Sequence, residues 1–218
     1  MAVPAPPVAP RTIVYVDGFN LYYGALKNTP CKWLDLEQYF SLLRQGDDIR
    51  AVKYFTALVN RDPRRTRQQA YLTALATRPL VETILGRFKQ KTVACACPGC
   101  VGVAPAARAF NVSEEKRTDV NIAIHMLDDA HRGVCDQQVL VSGDSDLVPA
   151  IQMVRARFPR IRTVVYVPTR TRQRGAATEI RTAAHRHRTL PLNLLPAAQL
   201  PNRLPDGTGG FVERPAGW

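Results

Sequence analysis

Short runs rich in β-branched and aromatic residues alternate along this chain with segments whose apolar positions recur at helical spacing. Positions 12–16, 52–59, 87–93, 138–142 and 162–167 have strand character, and positions 34–43, 65–77, 119–131 and 147–157 predict helices. Strand and helix in alternation predict an α/β fold, a mainly parallel sheet with helices on both faces. No segment repeats internally. Residues 1–10 are Ala, Val and Pro with one Met, and residues 191–218 are rich in Pro and Gly without periodicity. The first reads as a disordered N-terminal arm and the second as a C-terminal tail, leaving 11–190 as one domain.

In open parallel sheets reactive groups collect beyond the carboxyl ends of the strands. The run Ile13-Val14-Tyr15-Val16 delivers Asp17 at such an end, with Gly18 permitting a sharp turn and Asn20 close behind. Val139-Leu140-Val141 leads in the same way to Ser142-Gly143-Asp144-Ser145-Asp146, and Asp119 opens an apolar helix. Each acid alone has an ordinary reading as a helix cap or a first-turn acid. Together they place four carboxylates and an amide at strand ends or helix starts. Like charges that converge there repel unless a cation neutralises them. Carboxylate and amide oxygens are hard ligands suited to Mg²⁺ or Mn²⁺, and such a site is chemically apt for phosphodiester hydrolysis.

Charge sharpens this picture. The 218 residues carry a net charge of +12, and residues 155–188 hold ten arginines against the single acid Glu179. A second basic cluster is Arg61, Arg64, Arg65 and Arg67. Arginine neutralises phosphates and stacks on exposed bases, so the distribution favours RNA over a small acidic substrate. Arg170, Arg172 and Arg174, just past a predicted strand, are the best-placed contacts, and Lys116 is a further candidate for a substrate phosphate. Tyr22, Tyr23 and Phe19 are candidates for stacking on bases or for the core. No run approaches the roughly 18 apolar residues of a membrane span, and no secretory signal is evident. With neither a GxGxxG nor a Walker sequence, no nucleotide cofactor is expected.

Five cysteines, an odd number, suggest a reducing, cytoplasmic setting. Three of them crowd into Cys95-Ala96-Cys97-Pro98-Gly99-Cys100, part of which resembles half of a zinc knuckle. A separate structural Zn²⁺ on Cys95, Cys97 and Cys100, a reducible CxxC pair, and unmetallated thiols all remain open. A zinc site would need a fourth ligand from Cys31, Cys135, His125, His131 or, in a homodimer, a second chain. His125 lies in an apolar helix and reads as a packing residue.

Three separated segments, VYVDGFNLYYG, EEKRTDVNIAIHMLDDA and VLVSGDSDLVPAI, resemble in order the motifs of NYN-domain proteins, the LabA or DUF88-like branch of the PIN-like nuclease superfamily. The resemblance implies a Rossmann-like PIN-type three-layer sandwich, a divalent metal held by acids, and ribonuclease activity in active members. Carried over by position, it implies Asp17, Asp119, Asp144 and Asp146 as catalytic and metal-facing acids. Asn20 would be their companion amide, and Ser142 a polar contact beside them. The family often has Gly in the segment that reads Lys116-Arg117-Thr118 here. The expected function is a Mg²⁺- or Mn²⁺-dependent endoribonuclease acting on single-stranded RNA. The alternative is a catalytically weak RNA-binding or protein-interaction module of the same fold.

Overall fold

The computed structural model describes residues 8–59, 63–100, 102–170 and 178–218. In chain order the strands are β1 (Arg11–Asp17), β2 (Asp48–Thr56), β3 (Val81–Leu85), β4 (Arg87–Ala94), β5 (Ala109–Lys116), β6 (Gln137–Val141), β7 (Arg162–Val167), β8 (Arg186–Thr189), β9 (Arg203–Pro205) and β10 (Phe211–Glu213). The helices are α1 (Gly18–Leu21), α2 (Leu36–Leu43), α3 (Arg64–Leu75), α4 (Thr118–His131), α5 (Val148–Arg157) and α6 (Thr178–Ala183). Six strands form one sheet in the order β3-β2-β1-β6-β7-β8, with every pairing parallel.

The strands in the middle of this sheet are apolar on both faces, as a sheet covered on both sides requires. Val14 and Val16 of β1 enter one core layer with Trp33, Leu36, Tyr39, Phe40, Tyr71 and Leu75, supplied largely by α2 and α3. Ile13 and Tyr15 enter the other, with Ile122, Met126, Ile151, Val154 and Ile180 of α4, α5 and α6. The result is a three-layer α/β sandwich of the PIN-like, Rossmann type.

The second layer encloses a polar cluster. The Lys53 ammonium lies 2.7 and 2.9 Å from the two oxygens of Asp129, and the Tyr15 hydroxyl donates to the same carboxylate at 2.8 Å. Gln138 donates to the Tyr15 oxygen at 3.3 Å and to the Met126 carbonyl at 2.7 Å. His125 stands with its ring edge-on to Phe55 and Nδ1 3.3 Å from Lys53, so it belongs to this packing. The cluster ties β1, β2 and β6 to α4 and so fixes where α4 begins.

Two segments depart from the sequence expectation. Positions 87–93 do form a strand, but β4 pairs antiparallel with β5 in a separate ribbon and not in the main sheet. Its run Lys89-Gln90-Lys91-Thr92 offers nothing to bury, so it cannot be covered by helices. Residues 191–218, expected as a tail, lie against the core: Leu195, Ala198, Leu200, Leu204 and Val212 are buried. Trp218 packs on Trp33 and Tyr71 at ring separations of 6.3 and 5.7 Å, and the Trp33 indole donates to the Pro201 carbonyl at 2.8 Å. These apolar residues are spaced by turns, which hides them from any periodicity. Most of the expected N-terminal arm, residues 1–7, lies outside the described residues.

Removing one partner of a buried ion pair strands the other, at a cost of about 3–5 kcal/mol. Lys53→Met and Asp129→Leu should each lower the unfolding free energy by that amount in urea titrations, whereas the double variant should lose far less than the sum. Additive losses would show that the two groups do not depend on each other.

Candidate active site

Strand alternation puts Asp17 on the same face of β1 as Ile13 and Tyr15, at its carboxyl end and only 3% exposed. The chain must then turn at once, and the turn is tight. A Cβ on Gly18 would sit 2.7 Å from the Phe55 carbonyl oxygen and 2.8 Å from the Tyr54 ring. Asp17 caps α1, with Oδ1 accepting from the Asn20 backbone amide at 3.0 Å and Oδ2 from the Asn20 side-chain amide at 2.6 Å.

Because β1 and β6 run parallel with Val16 opposite Val141, the residue after β6 stands beside Asp17. That residue is Ser142, fully buried, and its hydroxyl donates to Asp17 Oδ2 at 2.9 Å. The Gly143 amide donates to Asn20 Oδ1 at 3.2 Å, the Asp144 amide to Ser142 Oγ at 3.1 Å, and the Asp146 amide to Asp144 Oδ1 at 3.0 Å. Two motifs separated by more than a hundred residues are thus one hydrogen-bonded network. Asp146 is exposed, Asp144 half-buried.

Asp119 arrives on the first turn of α4, which runs antiparallel to the strands and so starts at their carboxyl ends. Burial, and then repulsion from Asp17, Asp144, Glu115 and Asp146, pushes its carboxyl up to about 6. Burial also raises Asp17, against the hydrogen bonds from Asn20 and Ser142 that lower it. Glu115 is a member of this group that the sequence reading did not single out. It ends the ribbon, and its carboxylate accepts from both the backbone amide and the hydroxyl of Thr118, so it also holds the start of α4. Arg117 between them has φ 83°, the left-handed conformation that glycine adopts freely, at the position where the family often has Gly.

The four acids do not close to direct-ligand spacing. Among the described residues, the group with three ligand atoms mutually within 4.8 Å is Cys95, Cys97 and Cys100. A hard cation that keeps several of its waters nonetheless suits the acids: oxygen donors only, net negative charge, and spacing that leaves room for bridging water. Asp17, Asp119, Asp144 and Asp146 would hold it.

Next to Gly18 and Phe19, on the other side of Asp17, opens a groove of about 330 Å³ whose lining includes Tyr22, Tyr54 and Tyr71 as well as Arg64 and Arg67. Phe19 itself packs edge-on to Phe88 at the base of the ribbon. Arg170 is exposed three residues past β7, at the same end of the sheet as the acids. Arg172 and Arg174 lie outside the described residues, as does Arg61. Lys116 pairs with Glu114 at 2.6 Å. The remaining arginines are dispersed. Arg155 donates to the Ala183 carbonyl, joining α5 to α6, while Arg160, Arg162 and Arg186 line a cavity with Arg44 at the amino end of the sheet, away from the acids.

The chain belongs to the NYN domain family, matching it over residues 11–191, and with it to the PIN-like nuclease superfamily. It is 36% identical over an alignment 227 positions long to the 6-hydroxy-3-succinoylpyridine 3-monooxygenase HspA of Pseudomonas putida (strain DSM 28022 / S16), an alignment that covers 89% of this chain and 72% of the relative. The crystal structure of a protein of unknown function, VPA0982 from Vibrio parahaemolyticus RIMD 2210633, shares its fold, with a TM-score of 0.52 and 18% identity over 84% of this chain and 93% of that one.

The raised Asp119 carboxyl fixes the sign of a pH effect. Its folded value of about 6 exceeds the 3.8 of an ordinary Asp, so the native state holds the proton more tightly. Stability from this group is therefore greatest below about pH 4 and falls as pH rises towards about 6. Without divalent cations, Asp119→Asn should stabilise the protein at pH 7 by about 1 kcal/mol, a figure discounted for screening at a half-buried group. It should bring no gain at pH 4. Urea unfolding at the two pH values measures both, and destabilisation at pH 7 would mean that a cationic side chain already balances the acids.

Proposed function

We propose that this protein is a divalent-metal-dependent ribonuclease that cuts single-stranded RNA internally. The observation that carries the reading is the set of acids around Asp119, whose mutual repulsion a cation would relieve, at the carboxyl end of a parallel sheet. NYN and PIN nucleases generally use divalent metals, and NYN domains are generally RNA-related. A bound Mg²⁺ or Mn²⁺ supplies charge neutralisation at the phosphodiester and a water of lowered pKa. Asp17, locked by Asn20 and Ser142, provides the fixed carboxylate of the site, and Asp119 and Asp144 provide the adjustable ones. Asp146, exposed, acts directly or through water. Asn20 is held by Asp17 and Gly143 and orients what binds beside them. The aromatic groove with Arg64 and Arg67 takes a base and its phosphate, and Arg170 takes phosphate on the other flank.

A second reading follows from the relative's name, which assigns that protein oxygenation of a hydroxypyridine. A groove of about 330 Å³ with tyrosine walls and two arginines also suits a small aromatic acid. The two readings differ in what the groove holds and in whether acids or aromatics decide turnover.

Purified protein should cleave single-stranded RNA with Mg²⁺ or Mn²⁺ and stop in chelator. Asp17→Asn and Asp144→Asn should each reduce the rate by 100-fold or more, roughly the loss expected when a group that stabilises transition-state charge is removed. Arg64→Ala/Arg67→Ala should weaken RNA binding and flatten its salt dependence. Equal cleavage by wild type and both Asp variants would remove the nuclease assignment. Oxygen uptake on a hydroxypyridine acid with a two-electron donor supplied to reduce the second oxygen atom to water, and with RNA left intact, would establish the second reading.

A further inference from the structure

The ribbon of β4 and β5 rises from the acid site and has no core of its own. Most positions of both strands are exposed, and the turns at Pro98–Cys100 and Pro105–Arg108 bury no residue. An isolated two-stranded ribbon is marginal in water, and small units without a core are ordinarily held by disulfides or a metal. At the far end of this one, Cys95 Sγ lies 3.2 Å from Cys97 Sγ, which lies 3.3 Å from Cys100 Sγ.

We infer that Cys95, Cys97 and Cys100 bind one Zn²⁺ that orders the ribbon tip, with water in the fourth position. Three soft sulfur donors select zinc over the hard cations suited to the acids. Thiolates around one zinc at about 2.3 Å stand about 3.8 Å apart, so these pairs need open by only about half an ångström. The backbone brings the thiols together: the Cys100 amide donates to the Cys97 carbonyl at 2.9 Å, closing the turn that carries two of them. Cys95 is pinned across the loop, its amide donating to the Arg108 carbonyl at 3.0 Å and its carbonyl accepting from the Arg108 guanidinium at 2.8 Å. The other two cysteines are not available as a fourth ligand, since Cys31 and Cys135 are enclosed in the two core layers. Binding converts three thiols to thiolates and releases three protons to solvent.

Elemental analysis of protein expressed with zinc and purified under reducing conditions without chelator should find one zinc per chain. The metal should be lost in Cys97→Ser/Cys100→Ser and kept in Asp17→Asn/Asp144→Asn, which separates this site from the acids whatever the outcome of the nuclease assay. Cobalt(II) in its place should give a thiolate charge-transfer band. Trypsin should cut after Lys89, Lys91 or Arg108 at least tenfold faster once zinc is removed, with the thermal transition of the main sheet preserved. Zinc-free protein, zinc retained by the double Cys variant, a Cys97–Cys100 disulfide in mass spectra of the protein as purified, or cleavage indifferent to zinc would each overturn the inference.

Discussion

Everything at the carboxyl end of the sheet depends on keeping one carboxylate, that of Asp17, buried. A buried charge is tolerated only when its oxygens are satisfied, and here three donors from two distant segments do so. The two Asn20 donors come with the α1 turn, and the Ser142 hydroxyl is in reach because β1 and β6 are parallel neighbours in register. The sheet order, the turn at Gly18 and the position of Ser142 are therefore parts of one solution to a desolvation problem. The remaining acids gather around a charge that the fold has already placed.

The far side of the same problem is visible in the second core layer. The Lys53–Asp129 pair, with Tyr15 and Gln138, sits one helix length from Asp119 and locks α4 against β1 and β2. Polar groups so deep in a core are costly unless every partner is in place, and the reward is a single register for the helix. Precision at the site thus originates in a cluster that takes no part in its chemistry. Glu115 and Thr118 finish the work at the helix start, and Arg117 bears the local backbone strain.

Much of this was legible in the chain itself. Asp17, Asn20, Ser142, Asp144 and Asp119 could be named because motifs at strand ends carry their position in the order of residues. The main-sheet strands near the acids could be named because burial on both faces makes them uniformly apolar. What escaped lacks such signals. The strand β3 is short and only half-buried, and β8 is a polar sequence, Arg186-His187-Arg188-Thr189, held by backbone pairing to β7 and by His187 against Arg181 of α6. Glu115 was hidden in a charged stretch, its role depending on a backbone turn. The clustering of ten arginines along the sequence likewise said little about space, because successive elements of a sandwich alternate between opposite ends of the sheet.

The strand β8 closes the sheet on one flank, and among the described residues its outer row of backbone amides and carbonyls faces no further strand. Such a row is a template on which another chain can pair, and cationic side chains are a common protection against it. Arg186 and Arg188 put like charge where a second copy would have to align, so self-association along this flank is opposed by repulsion and not by shape. Solubility of the fold is therefore tied to the ionic atmosphere: a polyanion draped over β8 would silence the very charges that keep neighbouring molecules apart.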